Sequence, residues 1–274
     1  MVIATSAEAY VEPAFELALL SDTGTERPDN QDCCGQFIEG PDTAVFAIAD
    51  GVGGYEGGEL ASRMCIDIML QAYRESSPAW GAGKRLHRAI QRANIEIHQR
   101  ALTVPELRRM ATTLTAVAVE NGAFTAIHVG DCRLYLIRNS RITQISQDHT
   151  VVAERVRMGL MSAARAKDHP DRGMLLRSMG HQLIVSVDRI QMPLVERDRL
   201  ILCSDGLYNV IETPEIEYLT RDRDPESGCR NLIDTANRRG TADNLTCAIF
   251  KMIAPTGHKP TGSGWRERLR DFFA

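Results

Sequence analysis

The fold is organised around one stretch of sequence, Val45-Phe46-Ala47-Ile48-Ala49-Asp50-Gly51-Val52-Gly53-Gly54. Its five leading apolar residues predict a buried strand. The strand ends in the carboxylate of Asp50, and three of the next four residues are glycines. Glycine permits positive φ and lets other groups approach the backbone closely. A buried strand that carries a carboxylate to its tip and leaves through such a loop favours binding of a hard cation or a phosphate.

A plain β-hairpin turn is the alternative for this stretch, because Asp-Gly is a strong hairpin dipeptide. A hairpin requires a second strand directly after the turn. Residues 59–73 instead have the apolar spacing of a helix, with Leu60, Ala61, Met64, Cys65, Ile68, Met69 and Ala72 on one side. This mismatch makes the hairpin the less favoured interpretation.

Composition indicates a soluble globular protein: 274 residues, 43% hydrophobic and 25% charged. A net charge of −4 gives no reason to expect nucleic-acid binding. The N-terminus lacks the basic start and apolar run of a secretory signal, and no apolar run is long enough to predict a transmembrane segment. The seven cysteines include no C-x-x-C pair, which disfavours a disulfide framework or a zinc site. A reducing, cytoplasmic location is therefore expected.

The chain divides into three parts by composition. Residues 1–14 form an N-terminal extension, residues 15–253 the main domain, and residues 254–274 a Gly/Pro linker with a short amphipathic helix. Residues 150–182 consist of short segments that are charged and rich in Met, which is typical of an inserted flap. The C-terminal helix is expected to dock on a partner or a membrane surface, with packing against its own domain as an equal alternative.

Periodicity and turn signals predict the remaining elements. Helices are expected over residues 84–101 and 226–237 and from residue 213, with helical segments near 151–158 and 162–167 in the flap. Strands are expected at residues 15–20, 112–119, 124–129, 133–137, 141–145, 183–187, 200–204 and 245–252.

Aspartates recur where predicted strands begin or end. Asp131, Asp205 and Asp243 join Asp50 in this pattern, which suggests one convergent cluster. Carboxylates brought together repel one another, and a divalent cation removes that cost. Oxygen ligands select Mg²⁺ or Mn²⁺ over zinc, and two such ions can activate a water for in-line attack on phosphorus. Arg27 offers a planar fork for phosphate oxygens. Unrelated turns at strand ends are the competing interpretation.

These residues lie in motifs that resemble the bacterial form of the metal-dependent protein phosphatase 2C family. Seven motifs match in the family's order between residues 15 and 252. They are Arg27-Pro28-Asp29-Asn30-Gln31-Asp32, Ala49-Asp50-Gly51-Val52-Gly53-Gly54 with Gly58-Glu59-Leu60-Ala61-Ser62, Ala111-Thr112-Thr113-Leu114-Thr115, Val129-Gly130-Asp131-Cys132-Arg133, Asp148-His149-Thr150, Cys203-Ser204-Asp205-Gly206-Leu207 and Asp243-Asn244-Leu245-Thr246.

The resemblance implies an α+β fold, a four-layer α-β-β-α sandwich with two central antiparallel sheets and a metal site at one edge. It also implies roles for individual residues. Asp50 would bridge two core Mn²⁺ or Mg²⁺ ions, the Gly51 carbonyl would serve one of them, and Asp205 and Asp243 the other. Asp32 would order the attacking water, and Asn244 would support the neighbouring ligands. Asp131 with Asp205 would form a third, weaker cation site, and Arg27 would bind the substrate phosphate.

One position departs from the pattern of animal family members, which have a histidine where this chain has Val52. The general acid is therefore unassigned. His169, in the flap, is a candidate for contact with the substrate, or else a surface loop residue. Two other roles also have alternatives: Arg27 can pair with Glu26 or Asp29, and Asp131 can cap a turn.

The expected function is metal-dependent hydrolysis of phosphoserine and phosphothreonine in proteins, opposing a serine/threonine kinase of the same cell. The partners are then phosphorylated proteins and that kinase. One alternative is an adaptor that keeps the fold with weak or no catalysis. Another is a phosphatase acting on a sigma-factor regulator.

Overall fold

The computed structural model describes residues 13–52 and 57–255, and within them the strands form two antiparallel sheets. The strands are β1 Phe15–Asp22, β2 Asp32–Ile38, β3 Ala44–Val52, β4 Ala111–Thr112, β5 Leu114–Glu120, β6 Ala123–Val129, β7 Arg133–Arg138, β8 Arg141–Gln144, β9 Asp188–Pro193, β10 Arg199–Cys203 and β11 Leu245–Met252. The helices are α1 Gly57–Glu75, α2 Ala82–Thr103, α3 Val151–Arg157, α4 Ala163–Lys167, α5 Asp205–Tyr208, α6 Thr213–Thr220 and α7 Pro225–Arg238, with a 3-10 helix at Pro105–Leu107. The expected C-terminal helix, most of the N-terminal extension and the glycines at 53 and 54 lie outside the described residues.

The sheets stack between two layers of helices. The first sheet has the order β1-β11-β10-β7-β8 and the second β2-β3-β5-β6-β9, with β4 paired to the end of β3. Helices α1 and α2 pack on the outer face of the second sheet, and α5, α6 and α7 on the outer face of the first. A third apolar cluster fills the space between the sheets. The four-layer α-β-β-α prediction is confirmed.

Strand β3 explains why residues 45–49 are apolar without alternation. Val45, Ala47 and Ala49 face the helix layer, whereas Phe46 and Ile48 face the other sheet. All five side chains are fully or almost fully buried. A strand covered on both faces has an apolar residue at every position, because neither face meets water. The prediction of a buried strand here is confirmed.

The strand continues past Asp50. Gly51 and Val52 pair with Thr112 and Ala111 of β4. Asp50 is therefore a strand residue close to the end of β3, and two paired residues follow it. The stretch predicted as one strand from residue 112 is split, because Thr113 lies between β4 and β5 and donates its N–H to the Asp50 carbonyl at 2.8 Å.

The strand predicted at residues 183–187 is wrong. That segment is irregular, and the strand begins afterwards, as β9. Asn94 and Gln91 of α2 donate side-chain hydrogen bonds of 2.8–3.1 Å to the carbonyls of residues 182, 183 and 185, which replaces strand pairing. The sequence pattern did not predict β9, because β9 is an edge strand whose positions are mostly exposed or half-buried.

The flap leaves the body and returns at one point. Thr150 forms an isolated bridge with Leu175, and the Val151 N–H donates to the Met174 carbonyl at 2.9 Å. The two helical segments predicted in the flap are present as α3 and α4. Thr150 and Ser162 cap them, each accepting a backbone N–H with its hydroxyl.

The close approach of β11 to α5 predicts a strict glycine requirement at residue 206. A Cβ there would lie 2.1 Å from the Asn244 carbonyl oxygen, so the backbone would have to move. We expect Gly206→Ala to lower the free energy of unfolding by about 1–3 kcal/mol, the usual cost of overpacking. Gly40→Ala, where nothing lies within 4 Å, should change it by less than about 0.5 kcal/mol. Urea unfolding of both variants measures the difference, and equal losses would contradict the steric explanation.

Candidate metal centre

Strand register brings Asp32 and Asp50 together. Asp32 is the first residue of β2 and lies directly opposite Asp50 in β3. Opposed residues of antiparallel strands have Cβ atoms about 4.5–5.5 Å apart. A polar loop was the expected environment of Asp32, and the structure instead makes it a strand residue that is only 9% exposed.

Two more aspartates reach the same region from the first sheet. Asp205 is the first residue of α5, directly after β10, and Asp243 lies shortly before β11, the neighbour of β10. A Cβ on Gly206 would lie 3.3 Å from the Cβ of Asp243 and 2.1 Å from the Asn244 carbonyl oxygen, so the backbones approach closely here. The two strand ends therefore present these carboxylates side by side.

Asp131 occupies the turn between β6 and β7. The preceding Gly130 has φ of +105°, and a Cβ on it would lie 2.5 Å from the Thr113 side chain. The Thr113 hydroxyl also accepts the Asp50 N–H at 2.9 Å. Thr113 thus connects the Asp131 turn to the Asp50 strand end.

The carboxylates influence one another electrostatically. Burial raises the pKa of Asp32 to about 7. The hydrogen bond from Ser204 lowers this pKa, whereas repulsion from Asp205 and Asp243 raises it. Burial raises the pKa of Asp131 to about 8, and Asp205 adds to the shift. The pKa of Asp205 rises to about 6, through burial first and then the charge of Asp243. Burial raises the pKa of Asp50 well above its usual range, and the charges of the other four aspartates raise it further. The five predicted carboxylate ligands therefore form one cluster of like charge, in which Asp32 and Asp131 are buried and the other three are half-buried.

Neighbouring groups hold the carboxylates in place. Ser204 donates its hydroxyl to Asp32 at 2.7 Å, and the Asn209 amide donates to Asp205 at 3.2 Å. In the described part of the chain, no three acidic, His or Cys side chains already have the arrangement of a metal site. The donor set nevertheless fits a hard divalent cation, because it consists of oxygens and because a cation offsets the repulsion. Cation binding would require these side chains to reorient.

Arg27 contacts this cluster directly. Its guanidinium donates to the Asp243 carboxylate at 2.8 Å and to the Ala242 carbonyl at 3.1 Å. The alternative partners Glu26 and Asp29 are not the ones it uses in these contacts. The side chain is 47% exposed, so it can also be reached from solvent. A half-exposed guanidinium beside a carboxylate cluster is suited to hold an anionic ligand there.

Asn244 fastens the loop that carries Arg27. Its amide donates to the carbonyls of Thr23 and Asp29 at 2.8 and 2.9 Å, and its oxygen accepts the Gln31 N–H at 2.9 Å. The side chain is buried, with 4% of the residue exposed. Asn244 thus makes three hydrogen bonds to the loop between β1 and β2, and its support of the metal ligands stays a prediction.

His169 has local partners. Its Nδ1 accepts the Asp171 N–H at 3.1 Å and lies 3.8 Å from the Asp171 carboxylate, within the flap. These contacts match the alternative of a loop residue, and they do not connect His169 to the five aspartates of the candidate metal centre.

Several supporting residues were not assigned roles by sequence reasoning, although the motifs contain them. Ser204 and Thr113 are hydroxyl residues at the ends of apolar strands, which is the signal that marks them. Arg133 pairs with Asp148 at 2.7 Å and lies over the Tyr208 ring at 3.6 Å, beside the Asp131 turn. Their roles depend on contacts between distant segments, which spacing along the chain does not reveal.

Comparison with known proteins decides the family. The profile of the family described as protein phosphatase 2C matches residues 26–248. The chain belongs to the protein phosphatase 2C family. The match spans β2 to β11 and includes all five clustered aspartates, so the expected resemblance is confirmed.

Several bacterial proteins of the protein phosphatase 2C family are similar to this chain. The serine/threonine phosphatase stp of Listeria monocytogenes is 34% identical over 235 residues, covering 84% of this chain and 93% of that protein. The crystal structure of the Mycobacterium tuberculosis serine/threonine phosphatase PstP/Ppp has a TM-score of 0.79 and 30% identity, covering 87% of this chain and 99% of that one. The PstP catalytic domain in complex with two manganese ions has a TM-score of 0.78 and 28% identity, covering 87% and 98%.

The three hydrogen bonds of Asn244 predict a large difference between two asparagine substitutions. In Asn244→Asp, a carboxylate would face the carbonyls of Thr23 and Asp29, and we expect a loss of about 3 kcal/mol in the free energy of unfolding. Asn231→Asp removes one bond, to the Leu219 carbonyl, from a half-buried side chain and should cost about 1 kcal/mol. Thermal and urea unfolding provide the comparison. A loss at Asn244 no larger than that at Asn231 would mean that the loop is held by other contacts.

Proposed function

We propose that this protein hydrolyses phosphoserine and phosphothreonine in proteins with the help of Mn²⁺ or Mg²⁺ held by the Asp50 cluster. The reaction class follows from the family: the chain is a protein serine/threonine phosphatase of the protein phosphatase 2C family. The observation that carries the proposed mechanism is the convergence of five buried or half-buried carboxylates beside Arg27. The related PstP domain with two manganese ions supports the choice of cation.

The proposed ligand roles follow from the family resemblance. Asp50 would be the carboxylate that two cations share, and the charges of all four other aspartates act on it. Asp205 and Asp243 serve one ion, and the Gly51 carbonyl serves the other. When bound, such ions acidify a water and neutralise charge on the phosphoryl oxygens. They would also allow the cluster to remain ionised at neutral pH.

Asp32 and Arg27 have the roles closest to the reacting groups. Ser204 holds one oxygen of Asp32, which orients the carboxyl to accept a hydrogen bond from the attacking water. Arg27 binds the substrate phosphate with its guanidinium. The hydrogen bond from this guanidinium to Asp243 keeps Arg27 next to the cations. Asp131, with Asp205, forms the third and weaker cation site.

The cellular setting is also a proposal. All seven cysteines are free thiols, which agrees with a reducing cytoplasm. Among the described residues, none of the helices combines the length and apolar character needed to cross a bilayer. The phosphorylated proteins that the enzyme acts on require a serine/threonine kinase, and that kinase is the proposed opposing partner.

Removal of the shared carboxylate tests the mechanism. We expect Asp50→Asn to abolish hydrolysis of phosphoserine and phosphothreonine peptides at every Mn²⁺ concentration, because both cations lose their common ligand. Asp243→Asn should weaken Mn²⁺ binding and recover part of its activity in excess Mn²⁺. Asp234→Asn, on the exposed side of α7, is the control and should behave as wild type.

In the same assay, a chelator should abolish the phosphatase activity of the wild-type enzyme, and added Mn²⁺ should restore that activity. Calorimetry without any divalent-ion binding, or near-normal turnover by Asp50→Asn, would overturn the mechanism.

Arg27 is expected to act on phosphate more than on cations. Arg27→Ala should raise KM and lower kcat/KM by roughly 30-fold or more, since a charge-assisted fork to the phosphate is lost. Arg27→Lys keeps the charge without the fork and should lie between wild type and the alanine variant. Calorimetric Mn²⁺ affinity separates the two roles: if it falls sharply in Arg27→Ala while KM is unchanged, Arg27 serves only to hold Asp243.

A further inference from the structure

His149 joins the flap to the turn that carries Asp131. It directly precedes the flap and is 7% exposed. Its backbone N–H donates to the Gly130 carbonyl at 2.7 Å, and its Nδ1 accepts the Gly130 N–H at 3.1 Å. These two bonds satisfy both the N–H and the carbonyl of Gly130, the residue before Asp131.

The other side of His149 holds the returning end of the flap. Its carbonyl accepts the Leu176 N–H at 2.7 Å, and its Nε2 lies 3.1 Å from the Asp188 carboxylate. Arg177 donates to the other oxygen of Asp188 at 2.8 Å. The root of the flap and the first residue of β9 are therefore both fastened to this one residue.

The two ring nitrogens of His149 have different tasks. Because Nδ1 accepts the Gly130 N–H, the proton of the neutral ring is on Nε2, which donates to Asp188. Burial lowers the pKa of His149, which favours this neutral form. The ring of His128 lies 4.8 Å away, and His128 is itself buried and bonded to Thr115. The His149 ring is thus backed by a fixed neighbour, so its orientation is determined by packing as well as by hydrogen bonds.

We propose that His149 is a positioning residue that couples the docked position of the flap to the Gly130–Asp131 turn. The coupling to cations rests on the proposed function, because it takes Asp131 as a ligand of the third cation site. A cation held at Asp131 and a docked flap then stabilise each other, because coupling between two sites is reciprocal. The flap would in this way respond to the occupancy of a site that it does not form itself.

Two substitutions separate the two sides of the joint. In His149→Asn the amide oxygen can replace Nδ1 but nothing reaches Asp188, whereas in His149→Gln the amide can replace Nε2 but not Nδ1. Hydrogen exchange by mass spectrometry on the full-length, cation-free protein is the readout. We expect roughly tenfold faster exchange in the flap, with the Gly130 segment unchanged, for His149→Asn, and the reverse for His149→Gln.

Two further variants control for damage to the fold. Asp188→Ala removes the flap side without touching the buried ring and should reproduce the fast flap exchange of His149→Asn. His87→Asn, on the exposed face of α2, should match wild type. If the flap of both His149→Asn and Asp188→Ala exchanges at the wild-type rate, the joint does not exist and the proposal is wrong.

Added Mn²⁺ tests the coupling apart from the proposed function. In wild type, saturating Mn²⁺ should slow flap exchange, and this slowing should be lost in Asp188→Ala while calorimetry still detects tight Mn²⁺ binding. Equal slowing in both proteins would overturn the coupling. Absence of Mn²⁺ binding to wild type would instead overturn the proposed metal mechanism, and the cation-free exchange would still decide whether His149 joins the flap to the turn.

Discussion

The structure depends on the close approach of five like-charged carboxylates, two of them buried, where the ends of two sheets meet. Desolvation and mutual repulsion both raise the pKa values of Asp50, Asp32, Asp131 and Asp205, so the ionised cluster opposes folding by itself. Hydrogen bonds from Ser204 and Arg27 offset part of this cost. Protonation of the carboxyls or binding of a divalent cation can offset the rest. The residues that make the region unfavourable without a cation are therefore the ones proposed to carry the reaction.

Such a cluster requires a rigid surrounding, since small shifts would separate the ligands. Glycines allow backbones to come within contact distance at Gly206, beside the Asn244 carbonyl, and at Gly51, beside the carbonyls of Gly58 and Gln31. The buried Asn244 then connects the Arg27 loop to β11. The proposed phosphate-binding side chain and the neighbouring Asp243 are in this way held by one hydrogen-bonded unit, although they come from opposite ends of the chain.

Sequence reasoning predicted the elements that have a strong apolar period or strong turn signals. The doubly buried β3 and the amphipathic α1 and α2 are examples, because each buries a continuous set of side chains that the pattern records. It failed at residues 183–187, where apolar side chains suggested a strand. There, α2 supplies side-chain donors to the backbone carbonyls, and a partner of this kind leaves no periodic signal along the segment. The edge strand β9 was missed for the opposite reason, since one face is open to water and its residues are mixed.

The sequence by itself determined the class of site: aspartates at strand ends, an arginine in a polar loop and motifs in the order of the protein phosphatase 2C family. These depend on residue types and spacing, which the chain carries directly. Only the tertiary structure decided that Asp32 is a strand residue opposite Asp50, that Arg27 contacts Asp243, and that His149 joins the flap to the Asp131 turn. Each of these is a contact between segments far apart in sequence, and such contacts arise from strand register and the packing of two sheets, which no local pattern specifies.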